Sequence, residues 1–93
     1  MEAIINKTRY KTADSTLLHE WIDPTVYATE PRTRKKEALY RTEKGNYFIA
    51  GSGDFRGEWI EPKTSEGIEK WLHTHGGEAL AKQLFPSPEV VDA

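Results

Sequence analysis

Residues 37–50 carry the strongest local instruction in the chain. Glu37-Ala38-Leu39-Tyr40-Arg41-Thr42 alternates, with Leu39 and Arg41 on one face and Ala38, Tyr40 and Thr42 on the other. Glu43-Lys44-Gly45-Asn46 reads as a tight turn, because Gly45 supplies the positive φ that such turns need. Tyr47-Phe48-Ile49-Ala50 reads as the return strand, and Gly51-Ser52-Gly53 releases the chain. This hairpin commits the chain to an antiparallel sheet.

The flanking segments add elements to it. Ala3 to Tyr10 reads as a short hairpin with an Asn-led turn. Leu17, Leu18, Trp21 and Ile22 recur at helical spacing behind Thr12 or Asp14 as a cap, and Asp23-Pro24 ends that expected helix. Residues 24–36 read as a surface loop. Phe55 to Ile60 reads as a further strand closed by Pro62. Thr64 or Ser65 caps a helix in which Ile68, Trp71, Leu72 and His75 share a face, and Gly76-Gly77 stops it. Glu78 to Phe85 reads as a short last helix. The expected fold class is therefore α+β: a small antiparallel sheet of 4–5 strands with 2–3 helices packed on one face. Residues 1–86 form a single domain and 87–93 a frayed tail. Trp21, Trp59, Trp71, Tyr40, Phe48, Ile68, Leu72 and Leu84 are the expected core.

Composition narrows the function classes. A 93-residue chain holds one core and little else. With no cysteine it has no disulfide, thiolate zinc site, iron–sulfur cluster or cysteine nucleophile. No apolar run reaches membrane-helix length and no secretory-signal pattern opens the chain, so a cytoplasmic location is expected. The net charge of -2 is unevenly placed. Residues 1–44 hold nine Lys/Arg against seven Asp/Glu, and residues 45–93 hold four against eight. A pI near 5.9 speaks against a wholly basic nucleic-acid binder, while a local basic patch is allowed.

Reactive constellations are weak. His73 and His75 are two apart, about 200° around a helix, so they do not share a metal-binding face. Ser52 sits between two glycines but lacks the lysine of a phosphate loop, so a strand exit is the simpler reading. Asp54, Glu58 and Glu61 offer carboxylates, yet a solvated strand face is the default. Alternation puts Glu58 and Ile60 opposite Trp59, which implies that either Trp59 or Ile60 must leave the core. No catalytic residue, cofactor or metal is expected, and the chain reads as a non-enzyme.

Surfaces carry what remains. The basic run Arg32, Arg34, Lys35 and Lys36 can be a solvated loop, a contact to phosphates, or a contact to an acidic protein surface. Tyr27, Tyr40 and Tyr47 are candidate exposed tyrosines that suit an interface or base stacking. Asp54, Glu58, Glu61, Glu66 and Glu69 offer an acidic patch able to enter a positively charged channel.

The run Leu39 to Gly53 has a strand ending in Leu-Tyr-Arg-Thr, a Lys-Gly turn, a Tyr-Phe return strand and a glycine-rich exit. With Ile4 to Thr12, and with Trp59-Ile60-Glu61-Pro62 ahead of the helix that ends near Trp71-Leu72, it resembles small accessory proteins of bacterial mobile genetic elements, carried by phages or plasmids. The resemblance touches about half the chain. It implies an accessory or counter-defence role, including anti-CRISPR activity. The expectation is then a non-enzymatic protein-binding inhibitor of a host defence complex, such as a CRISPR effector subunit or other ribonucleoprotein. It would act by covering a nucleic-acid-binding or assembly surface. The alternative is a small nucleic-acid-binding regulator that uses loop 32–36. A homodimer formed through an exposed sheet edge is a third option.

Overall fold

The computed structural model describes residues 1–24, 34–53 and 55–86. Tyr27, Arg32, Asp54 and the expected tail 87–93 lie outside the described residues. The fold is α+β. Strands β1 (Glu2–Ile5) and β2 (Thr8–Lys11) form an antiparallel hairpin. Strands β3 (Thr16–Ile22), β4 (Lys36–Arg41), β5 (Tyr47–Ser52) and β6 (Glu58–Lys63) form an antiparallel meander in that order. Helices α1 (Ser65–Thr74) and α2 (Glu78–Leu84) follow.

Two apolar clusters explain the layering. On one face of the meander, Leu39 and Ile49 pack against Ile68, Trp71 and Leu72 of α1 and Ala81 of α2. On the other face, Phe48 and Ala50 pack against Tyr10 of the hairpin, with Ile5, Tyr40 and Ile60 at the margin. The Tyr10 ring meets Phe48 edge-on at 5.4 Å, and Tyr40 stacks on Phe48 at 5.3 Å. The meander is therefore covered on both sides, by helices and by the hairpin. This is why Phe48, Ile49, Ala50 and Gly51 are all buried in one unbroken run, as a strand with two covered faces requires.

Four expectations are corrected. The segment expected as a helix near residues 16–22 is β3, paired along its length with β4. The register shifts between Leu17 and His19, so a bulge at Leu18 turns Leu18, His19 and Trp21 toward the helices. Leu17 and Ile22 are left 45% and 52% exposed on the opposite side. A bulged strand thus imitates the i, i+3 spacing of an amphipathic helix. Secondly, β1 and β2 form their own sheet instead of extending the main one. Thirdly, β6 begins at Glu58 and runs through Pro62, because it is an outer strand, where a proline is accommodated. Lastly, Trp59, Trp21, Tyr40 and Leu84 are only half-buried, while Tyr10, Leu39, Ile49, Ala50 and Ala81 join the core.

Helix α1 starts where the sequence reading put it. Thr64 Oγ1 accepts the Gly67 backbone N–H at 3.1 Å, satisfying one of the free donors of the first turn. Gly76, at φ 72, ends the turn after the helix.

Candidate functional site

The register across the four strands lines up Trp21, Glu37, Gly51 and Trp59 on the helix-covered face. A carboxylate in the middle of such a row is costly unless partnered. Glu37 is 8% exposed, with its Oε1 3.4 Å from His75 Nε2 and 3.5 Å from Lys35 Nζ. His75 Nδ1 lies 2.7 Å from the Trp71 carbonyl oxygen. Thr74 Oγ1 also lies 2.8 Å from the same nitrogen, so the ring is held on both sides. The imidazole also stacks on Trp71 at 4.5 Å and meets Trp21 edge-on at 4.5 Å. His19 donates from Nε2 to the His75 carbonyl at 2.8 Å and packs edge-on to Trp71. Two histidines, two tryptophans and one acid so form a packed polar knot that ties α1 to β3 and β4.

Outside this knot the same end of the sheet becomes an aromatic and basic surface. Gly51 lacks the side chain that would collide with Trp59, so the Trp59 indole lies flat across β5. The Arg56 guanidinium sits 4.3 Å above that ring. Gly53, at φ 94, accepts the Arg56 N–H at 3.0 Å and donates its own N–H to Gly57 at 3.1 Å, closing the turn between β5 and β6. At its tip Phe55 is 76% exposed and adopts φ 54. A bulky residue in the left-handed region is strained, and such strain gathers at functional positions. A side chain on Gly53 would collide with the Arg34 backbone, so the β5–β6 turn packs against the backbone of Arg34 and Lys35. The Arg34 end of the basic run therefore lies at the same end of the sheet as Phe55, Arg56 and Trp59, whereas Lys36, opposite Ser52, is on the other face from Trp59.

The other sequence candidates are dispersed. Tyr47 faces the helices and packs against Phe85 at 5.9 Å, so it belongs to the core margin and is not an exposed anchor. Tyr40 is likewise occupied by Phe48. Glu58 pairs with Ser52 on the hairpin-side face, whereas Glu66 and Glu69 lie on α1, across the sheet. Glu66 faces Lys70 at 3.6 Å and Glu61 faces Lys63 at 3.1 Å. The described acidic residues thus make no single patch. The expected conflict between Trp59 and Ile60 dissolves, since each faces a different covered side of the sheet. Among the described residues no group of three or more His, Asp or Glu side chains is placed to hold a metal ion. None of the helices in the described residues is long and apolar enough to cross a membrane.

Two features escaped the sequence reading although their signals were present. Glu37 shares the parity of Leu39, which puts an acid on the core face. Phe55, bounded by Gly53 and Gly57, stands in a turn from which it reaches no core. No protein-family model, curated protein or solved structure matches the chain.

Proposed function

We propose that this chain is a non-enzymatic binding module that docks through the end of the sheet bearing Arg34, Lys36, Phe55, Arg56 and Trp59. The single observation that carries this reading is Phe55, held 76% exposed in a left-handed conformation beside an arginine stacked on a tryptophan. Aromatic residues and arginine dominate the energetics of protein interfaces, and a preordered turn lowers the entropy lost on docking. The partner class is a host ribonucleoprotein of the CRISPR effector type, and the mode of action is steric exclusion of nucleic acid or of an assembly partner. That choice follows the sequence resemblance to accessory proteins of mobile elements.

The test is competition. Purified chain is titrated against a guide-loaded CRISPR effector complex while target DNA binding is followed. The wild type displaces DNA, and Phe55→Ala/Arg56→Ala weakens displacement roughly 30-fold, as expected for two central anchor residues. Absence of competition, or equal competition by the double variant, rejects the reading.

A second reading has its own support. Exposed Arg34 and Lys36 at the end of the sheet that bears an exposed aromatic ring also suit a nucleic-acid regulator that pairs phosphates with arginine and lysine and stacks bases on Phe55. It predicts that Phe55→Ala lowers affinity for a single-stranded oligonucleotide in the absence of any protein partner.

A further inference from the structure

The opposite end of the sheet holds a second feature, and the basic run of residues 32–36 has no part in it. The turn of the β1–β2 hairpin and the turn between β4 and β5 border one open groove of about 380 Å³. Lys7, Arg9, Lys11 and Lys44 line it, against two carboxylates, Asp14 and Glu43. Lys7, Arg9 and Lys11 come from the β1–β2 hairpin, and the fold brings Lys44 of the β4–β5 turn to them.

Their electrostatic state matters. Arg9 faces Glu2 at 3.4 Å and Lys11 faces Asp14 at 3.5 Å, both as solvent-exposed pairs. Exposed pairs of this kind contribute little, so an incoming anion readily competes for the cations. Lys7 and Lys44 have no ion-pair partner among the described residues. Thr42 Oγ1 accepts the Asn46 backbone N–H at 3.0 Å, which leaves its hydroxyl proton free to donate into the groove. The lining contains no aromatic side chain, so the groove has nothing on which a base could stack.

The hairpin turn adds an independent sign. Asn6 and Lys7 have φ 52 and 64, the pattern of a two-residue turn with both central residues left-handed. Glycine is the usual second residue there, because a side chain is strained in that region. This chain places a lysine at that strained position, on the rim of the groove.

We infer that the groove binds the phosphodiester backbone of a nucleic acid, without base readout. Excess cations, hydroxyl donors and the lack of stacking surface are what backbone contact needs. The acidic excess of the sequence lies in residues 45–93, and none of those acidic residues lines the groove. This inference does not depend on the docking surface at the other end.

The test uses fluorescence anisotropy with labelled duplex and single-stranded oligonucleotides of equal length, at several salt concentrations. Four neutralised phosphates give a slope of log affinity against log salt of about −3.6, a loss of roughly 150-fold on raising salt fourfold. Lys7→Ala/Lys44→Ala removes two of the contacts, so its slope falls to about −1.8. Both positions are exposed, and circular dichroism confirms that the variant is folded. Lys7→Gly weakens binding while relieving the turn, a combination that a purely structural lysine does not produce. Comparison of the two oligonucleotides shows which form of backbone is preferred. No binding at low salt overturns the inference. So does an unchanged slope in the double variant, or full displacement by millimolar inorganic phosphate, which marks a small-anion site.

Discussion

Gly51 offers the sharpest test of how the docking end is built. A Cβ added there falls within the Trp59 indole, against Cε2, Cζ2 and Nε1. The position has no positive φ, so alanine meets no backbone penalty and only the steric collision counts. Overpacking of this kind costs about 1–3 kcal/mol. Replacing glycine in a strand otherwise gains about 0.5–1 kcal/mol, through a less disordered unfolded state. The net expectation for Gly51→Ala is a loss of about 1–2 kcal/mol from these two contributions. In a Trp59→Ala background the collision is absent, so the same substitution stabilises by about 0.5–1 kcal/mol. Urea unfolding of the four proteins closes the cycle. With a slope on the order of 1 kcal/mol/M, the midpoint falls by about 1–2 M in the first background and rises by about 0.5–1 M in the second. The change of sign is the decisive outcome. An equal loss in both backgrounds would mean that Trp59 does not rest on Gly51, and the platform beneath Arg56 would lose its explanation.

Other substitutions probe the remaining arguments. Thr64→Ala removes the side-chain acceptor at the start of α1 and lowers stability by about 1 kcal/mol, read by chemical unfolding. His75→Ala deletes two ring contacts at 4.5 Å and leaves Lys35 as the remaining ion-pair partner of buried Glu37. Its loss of about 2–4 kcal/mol, read by calorimetry, combines lost aromatic packing with the loss of one polar neighbour of a buried carboxylate. Phe55→Gly relieves a left-handed residue and raises stability by about 1 kcal/mol, yet it weakens the proposed docking. A fall in stability for Phe55→Gly would show that the ring packs on the domain and is not presented to a partner.

Local signals made much of the fold legible. Gly45 and the alternation around it marked the central hairpin, and Thr64 with the Ile68, Trp71, Leu72 spacing marked α1. The expected helix at Leu17 to Ile22 failed for a reason that local pattern cannot reveal. Pairing with Lys36–Arg41 decides the conformation of that segment, and the bulge at Leu18 makes a strand look helical. The cover on the second face was hidden for a related reason. Tyr10 reaches Phe48 only once the β1–β2 hairpin folds back, a contact between residues 38 positions apart. The candidate site was legible as residue types but not as a place. Arg34, Lys35 and Lys36 were found from charge alone. Phe55, Arg56 and Trp59 come to the same end of the sheet through Gly53, whose missing side chain lets the β5–β6 turn lie against the Arg34 backbone.

The two-sided burial also bears on where function resides. Helices occupy one face of the meander and a hairpin occupies the other, so the large side chains at its centre are committed to packing. The turns at its two ends are where polar and aromatic side chains are presented outward, as loops on a rigid scaffold commonly do. The described residues other than glycine with positive φ are Asn6, Lys7 and Phe55, and all three stand in such turns. A turn selected only for stability would carry glycine at the second and third of these positions. Lysine at one end and phenylalanine at the other make each turn less stable and give it a chemically distinct tip. The cationic tip borders a groove suited to phosphate, and the aromatic tip stands beside stacked Arg56 and Trp59. Strain in the β1–β2 turn and in the β5–β6 turn therefore argues for two contacts of different chemistry. Separate losses in Lys7→Gly and Phe55→Gly, each sparing the other's binding, are the signature expected of that arrangement.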